Sequence, residues 1–108
     1  MLLKKQFDAI IRKEKKIPTI SMFYGIIIRM YYIDHNPGHI HAFYGDNIAK
    51  FNFEGKVIDG KFPTKQLKLV QAWIELHKKE LEANWKLSKN SEKPFKILPL
   101  RLFDEGEL

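Results

Sequence analysis

A chain of 108 residues is long enough for one domain with a single core and too short for two. With 44% hydrophobic and 13% aromatic residues it can bury that core unaided, and the lack of any cysteine excludes disulfides, thiolate metal sites and cysteine nucleophiles together. The net charge of +6 suits a phosphate-bearing partner but is equally what keeps a small domain soluble.

In chain order, residues 1–16 read as a short basic amphipathic helix. Leu3, Phe7, Ile10 and Ile11 lie on one side, and six Lys/Arg stand against Asp8 and Glu14. Leu2-Leu3 runs straight into Lys4-Lys5 with no apolar signal-peptide core behind it, and Ile26-Ile27-Ile28 is far short of the roughly 20 residues that cross a bilayer. A soluble cytoplasmic protein is the expectation. Ile17-Pro18 ends the first helix, because the residue before proline is pushed out of helical geometry.

Phe23 to Ile33 is the strongest strand signal, with Ile26, Ile28, Met30 and Tyr32 on a core face and Ile27, Arg29, Tyr31 and Ile33 on the other. His39–Tyr44 is read as a second strand, Ile48–Phe53 as a third and Lys56–Asp59 as a short fourth, separated by turns at Gly45 and Gly55. Pro63-Thr64 then opens one long helix, Thr64–Lys89, with Thr64 as its N-cap. Leu67, Val70, Ile74, His77, Leu81 and Trp85 form its sheet-facing stripe. Pro94–Leu100 is an extended segment suited to a sheet edge, and Arg101–Leu108 is an acidic tail expected to be mobile. The expected architecture is α+β: an antiparallel meander of three or four strands covered by one long C-terminal helix, with the N-terminal helix appended. A single domain spans 17–100.

Chemistry concentrates in Asp34-His35-Asn36-Pro37-Gly38-His39-Ile40-His41, which holds three of the four histidines directly behind an acid. Residues two apart on a strand share a face, so His39 and His41 point the same way, opposite Ile40 and Ala42. If the helix covers Ile40 and Ala42, both imidazoles stand on an open face, with Arg29, Tyr31 and Lys50 or Asn52 beside them.

Several readings fit these residues. His35, His39 and His41, with Asp34 as fourth ligand or as support, form a metal site for a divalent ion such as zinc. Alternatively no cofactor is needed, and His35, His39 and His41 carry acid–base catalysis on RNA, with Arg29 and Tyr31 beside the reacting phosphodiester. A third reading is stacking and binding without catalysis, and a fourth is a purely structural cluster. His77 lies on the apolar stripe and reads as a hydrogen-bonded core imidazole. There is no phosphate-binding glycine loop and no Gly-x-Ser-x-Gly elbow.

The runs Ile17–Ile26 and Met30–Tyr44 resemble a bacterial family, the domain of unknown function numbered 4160. The likeness continues through Gly60-Lys61-Phe62-Pro63, Leu69-Val70 with Trp73 and His77, Glu80-Leu81 with Asn84-Trp85, and Ile97-Leu98-Pro99-Leu100. The resemblance implies a small prokaryotic protein encoded beside a partner of the family numbered 2442, in pairs suspected to be toxin–antitoxin modules. It implies that Asp34, His35, Pro37, His39, His41 and Tyr44 belong to the shared motif, with His77 and Trp85. The chain departs from many relatives at Gly38, where they have proline, and at Phe43, where they have an acid. The functional expectation is therefore a toxin–antitoxin component that binds or cuts RNA through its histidine face. The alternatives are a protein-binding module of a two-gene pair and a His-ligated metal-binding protein.

Overall fold

The computed structural model describes residues 17–102. The first expected helix, residues 1–16, and most of the acidic tail lie outside the described residues. Five strands form one antiparallel sheet in sequence order: β1 Thr19–Phe23, β2 Ile26–Arg29, β3 His39–Tyr44, β4 Asn47–Asn52 and β5 Val57–Gly60. Two helices follow, α1 Thr64–Leu76 and α2 Lys78–Lys89.

This corrects the expected meander of three or four strands under one long helix, although the α+β class holds. The apolar run from Phe23 is not one strand. Tyr24 and Gly25 both take positive φ (48° and 79°), making the tight two-residue turn whose twist suits a hairpin, so the chain doubles back into β2. Thr19–Phe23, of which only Phe23 fell within an expected strand, form the extra strand β1.

The single helix is broken at His77, whose φ of −121° is not helical. Its N–H still donates to the Trp73 and Ile74 carbonyls, while its ring Nδ1 lies 2.6 Å from Glu80 Oε1 in the first turn of α2. The apolar stripe continues across the break, so periodicity alone does not reveal it. Thr64, expected as cap, is the first helical residue, and Pro63 precedes it without a side-chain cap.

The core lies between the helices and one sheet face. Ile26, Ile28, Ile40, Ala42, Ala49 and Phe51 meet Val70, Trp73, Ile74 and Leu81, all fully or almost fully buried. Each such large apolar side chain contributes roughly 1.5–3 kcal/mol over an exposed one. The register Ile28↔Ala42↔Ala49 places small alanines at the centre of the sheet, leaving depth for Trp73.

The segment after α2 is fastened by polar contacts. Asn84, fully buried, donates to the Phe95 carbonyl and accepts from its N–H (both 2.8 Å), Trp73 Nε1 donates to Leu98 O, and Ile97 N–H donates to Ile20 O on β1. The extended segment thus reaches the β1 edge by a single main-chain bond. Among the described residues no helix is long and apolar enough to cross a membrane.

Candidate metal centre

The register puts Arg29 of β2 and Lys50 of β4 on either side of His41, with Asn52 beside His39. As alternation requires, His39 and His41 share the face opposite Ile40 and Ala42. That face is not open at the histidines, which are only 4% and 8% exposed. Tyr31 stacks on His41 with ring centres 4.0 Å apart, and Trp85 of α2 lies 5.3 Å from His39. The expected open surface is overturned because the chain between β2 and β3 folds back over the two rings.

That returning loop brings in Asp34. Its Oδ2 lies 2.9 Å from His39 Nε2 and 3.2 Å from His41 Nε2, while Oδ1 accepts the His35 N–H at 2.8 Å. The loop is fixed from behind by the end of α2: Ile33 N–H donates to Ser88 O (3.0 Å) and Lys89 Nζ to Asp34 O (2.8 Å). Lys89 also sits over the Trp85 ring, one helical turn away, so one stripe of α2 supports both the loop and His39.

Gly38, just before β3, lies against the Phe53 ring. A Cβ there would lie 2.6 Å from Phe53 Cε2, inside contact distance.

Ile33 holds a left-handed φ of 47°, costly for a β-branched residue, at the step that turns Asp34 towards the histidines. Its side chain is 65% exposed, so little packing would be lost on replacement. Ile33→Asn is expected to stabilise the fold by about 1 kcal/mol, because asparagine tolerates this conformation. A thermal melt no higher than wild type would contradict that account.

The hydrogen-bond pattern fixes one tautomer. Pro37 O can only accept, and it lies 2.8 Å from His39 Nδ1, so the proton is on Nδ1 and the Nε2 lone pair is aimed at Asp34. In that state Nε2 meets the carboxylate either by taking a second proton or by sharing a cation with it. A ring whose Nδ1–H is tied to a main-chain carbonyl is oriented as metal-ligating histidines are, with Nε2 on the side of the carboxylate.

One ligand atom each from Asp34, His39 and His41 lies within 4.8 Å of the others. A tetrahedral ion with bonds of about 2.0 Å separates its ligands by about 3.3 Å. The two nitrogen–oxygen distances of 2.9 and 3.2 Å are already close to that.

Burial lowers the His41 pKa from 6.5, and His39 and Lys50 push it the same way, against the bond to Asp34. For Asp34, burial alone would raise the pKa. It is outweighed by the His35 N–H, the hydrogen bonds from His41 and His39, and the His39 charge, which together hold it below 3.8. Both groups have lowered folded values, so both cost stability as pH falls. His41 contributes fully above 6.5 and progressively less as the unfolded chain protonates first. Asp34 does the same from 3.8 downward. Metal-stripped protein is expected to lose stability in two stages on acidification, and His41→Gln should flatten the upper one. An unchanged upper stage in melts of that variant would refute the assignment.

Of the residues singled out from sequence, Asp34, His39 and His41 converge, and Tyr31 and Arg29 flank them. The His35 ring is not in the converging group: the residue is exposed and supplies its main-chain N–H to Asp34. His77 is separate, paired with Glu80 and 5.6 Å from the Trp73 ring. Trp85, expected on the helix stripe and in the shared motif, and Lys89, which was not singled out, support the site through contacts that the sequence did not indicate. Their four-residue spacing was visible, but nothing in it pointed to a loop fifty residues away.

The fold and this cluster define a small α+β domain whose central strand carries a histidine pair. Residues 25–86 match the family model described as Domain of unknown function (DUF4160), and the chain belongs to that family. No curated protein and no solved structure matches it.

Proposed function

We propose that this protein binds a divalent first-row metal ion, of the zinc class, through Asp34 Oδ2, His39 Nε2 and His41 Nε2. The observation that carries the reading is the convergence of those atoms with the His39 tautomer fixed by Pro37. Two imidazoles and one carboxylate suit zinc and its neighbours, and three protein ligands leave a position for water or substrate, as in catalytic sites. A bound ion there would supply Lewis acidity and a water of lowered pKa.

Metal-free acid–base catalysis is less well supported, because both ring nitrogens of His39 are already engaged, one by Pro37 and one by Asp34. Base stacking on the histidines is likewise disfavoured by their burial.

The test is calorimetric titration of zinc into protein stripped with a chelator. One ion per chain is expected, with binding lost in Asp34→Ala and in His41→Ala and retained in His35→Ala. Wild-type protein that takes up no zinc, cobalt or manganese would end the proposal.

The wider setting, a toxin–antitoxin component acting on RNA with a small partner of the family numbered 2442, is supported by the resemblance and the +6 charge. Co-expression with such a partner tests it: stable co-purification and relief of growth arrest are expected, and the absence of both would remove it.

A further inference from the structure

Beside the three ligands lie two cationic side chains: Arg29, with no carboxylate partner among the described residues, and Lys50, whose one carboxylate neighbour is the exposed Asp59 at 3.9 Å. Arg29 and Lys50 stand directly opposite His41, one from each neighbouring strand, on the face from which Asp34 approaches. The Arg29 guanidinium carbon sits 5.4 Å from the centre of the Phe43 ring, and Phe43 is the next residue after His41 on that face. Its Nε is buried and makes no hydrogen bond.

Among the described residues no carboxylate pairs with Arg29. Asp34 is taken by the histidines and the His35 N–H, and the exposed Asp59 reaches only Lys50, at 3.9 Å. A buried guanidinium donor without an acceptor is uncommon, because the group has lost its water and gained nothing in return. An aromatic ring against a guanidinium steadies the plane and leaves its edge donors for an anion.

We infer that the site takes a phosphate ester, with one oxygen at the metal's open position and another on the edge of the Arg29 guanidinium, Lys50 adding charge from the opposite strand. The inference rests on the metal reading above and names its ligand. An ion held by two neutral imidazoles and one carboxylate keeps a net positive charge, and Arg29 and Lys50 add to it, so the ligand must be anionic. A tetrahedral oxyanion presents oxygens in several directions and can meet ion and guanidinium together, and paired N–H donors favour phosphate oxygens.

Cobalt-loaded protein provides the test, read from the visible cobalt absorption during titration with dimethyl phosphate and, separately, with acetate. Wild type is expected to show a saturable change with dimethyl phosphate, and acetate is expected to bind more weakly. Arg29→Gln should weaken dimethyl phosphate by about tenfold or more, the scale of a lost charge-assisted bond, while cobalt affinity and the ligand-free spectrum stay unchanged. Lys50→Gln should weaken it less and serves as the second variant should Arg29→Gln fail to fold.

Cobalt binding with no response to dimethyl phosphate overturns this inference alone. So does equal affinity for acetate, or phosphate affinity that neither variant alters. No cobalt binding by wild type overturns the metal reading and this inference with it.

Discussion

Zinc added to metal-stripped protein at a hundred times its dissociation constant is expected to stabilise the fold by about 2.7 kcal/mol. For a domain of this size that is a rise in melting temperature of about 10–20 °C. The effect would be large because the proposed ion would bind the folded chain selectively: Asp34 comes from a loop and the two histidines from a strand, and only folding brings the three within 4.8 Å. Excess chelator should return the melt to its starting point, and Asp34→Ala should be insensitive to zinc throughout. Identical melts with and without zinc in the wild type would remove the basis for a metal site.

The second large effect concerns Trp73. Trp73→Ala is expected to destabilise by about 3–5 kcal/mol from lost burial and the cavity left behind. Its Nε1 also holds the Leu98 carbonyl at 2.8 Å, and its ring lies 5.5 Å from Phe23 and 5.6 Å from His77. The substitution therefore loosens the C-terminal segment and the helix junction as well as the core. Against a total stability of about 5–15 kcal/mol, this is enough to unfold a marginal domain at 37 °C. Trp73→Phe retains most of the packing and separates the two contributions: a residual loss of about 1–3 kcal/mol is expected from the orphaned carbonyl. Chemical denaturation midpoints of the two variants measure both, and a Trp73→Ala midpoint equal to wild type would refute this account of the core.

Much of the site could be read from residue order. Alternation along His39–Tyr44 separates the histidines from Ile40 and Ala42, and β3 has the bounds that alternation suggests. Asp34 was also nameable as a ligand, since an acid just before a histidine-rich turn can fold back on it. Three features were not readable, each for a physical reason. The β1–β2 hairpin turns on Tyr24, an aromatic residue at positive φ, so only Gly25 marked the turn. The break at His77 falls within an unbroken apolar stripe, where the hydrogen bond with Glu80 is one more polar contact among many. The burial of the histidines depends on Tyr31, Trp85 and the Asp34 loop meeting in three dimensions, and no period of two or 3.6 encodes that meeting.

The two nitrogen donors and the oxygen donor differ in how firmly they are held. His39 and His41 ride on the middle strand of five, His41 paired with both neighbouring strands and His39 with β4, whereas Asp34 hangs from a connection secured at its back by Ser88 and Lys89. Local opening therefore reaches the carboxylate long before it reaches the imidazoles. An ion held there would leave by shedding the acid first, with the nitrogen pair still in place to recapture it, so its residence time would be governed from the last turn of a helix outside the proposed ligand set.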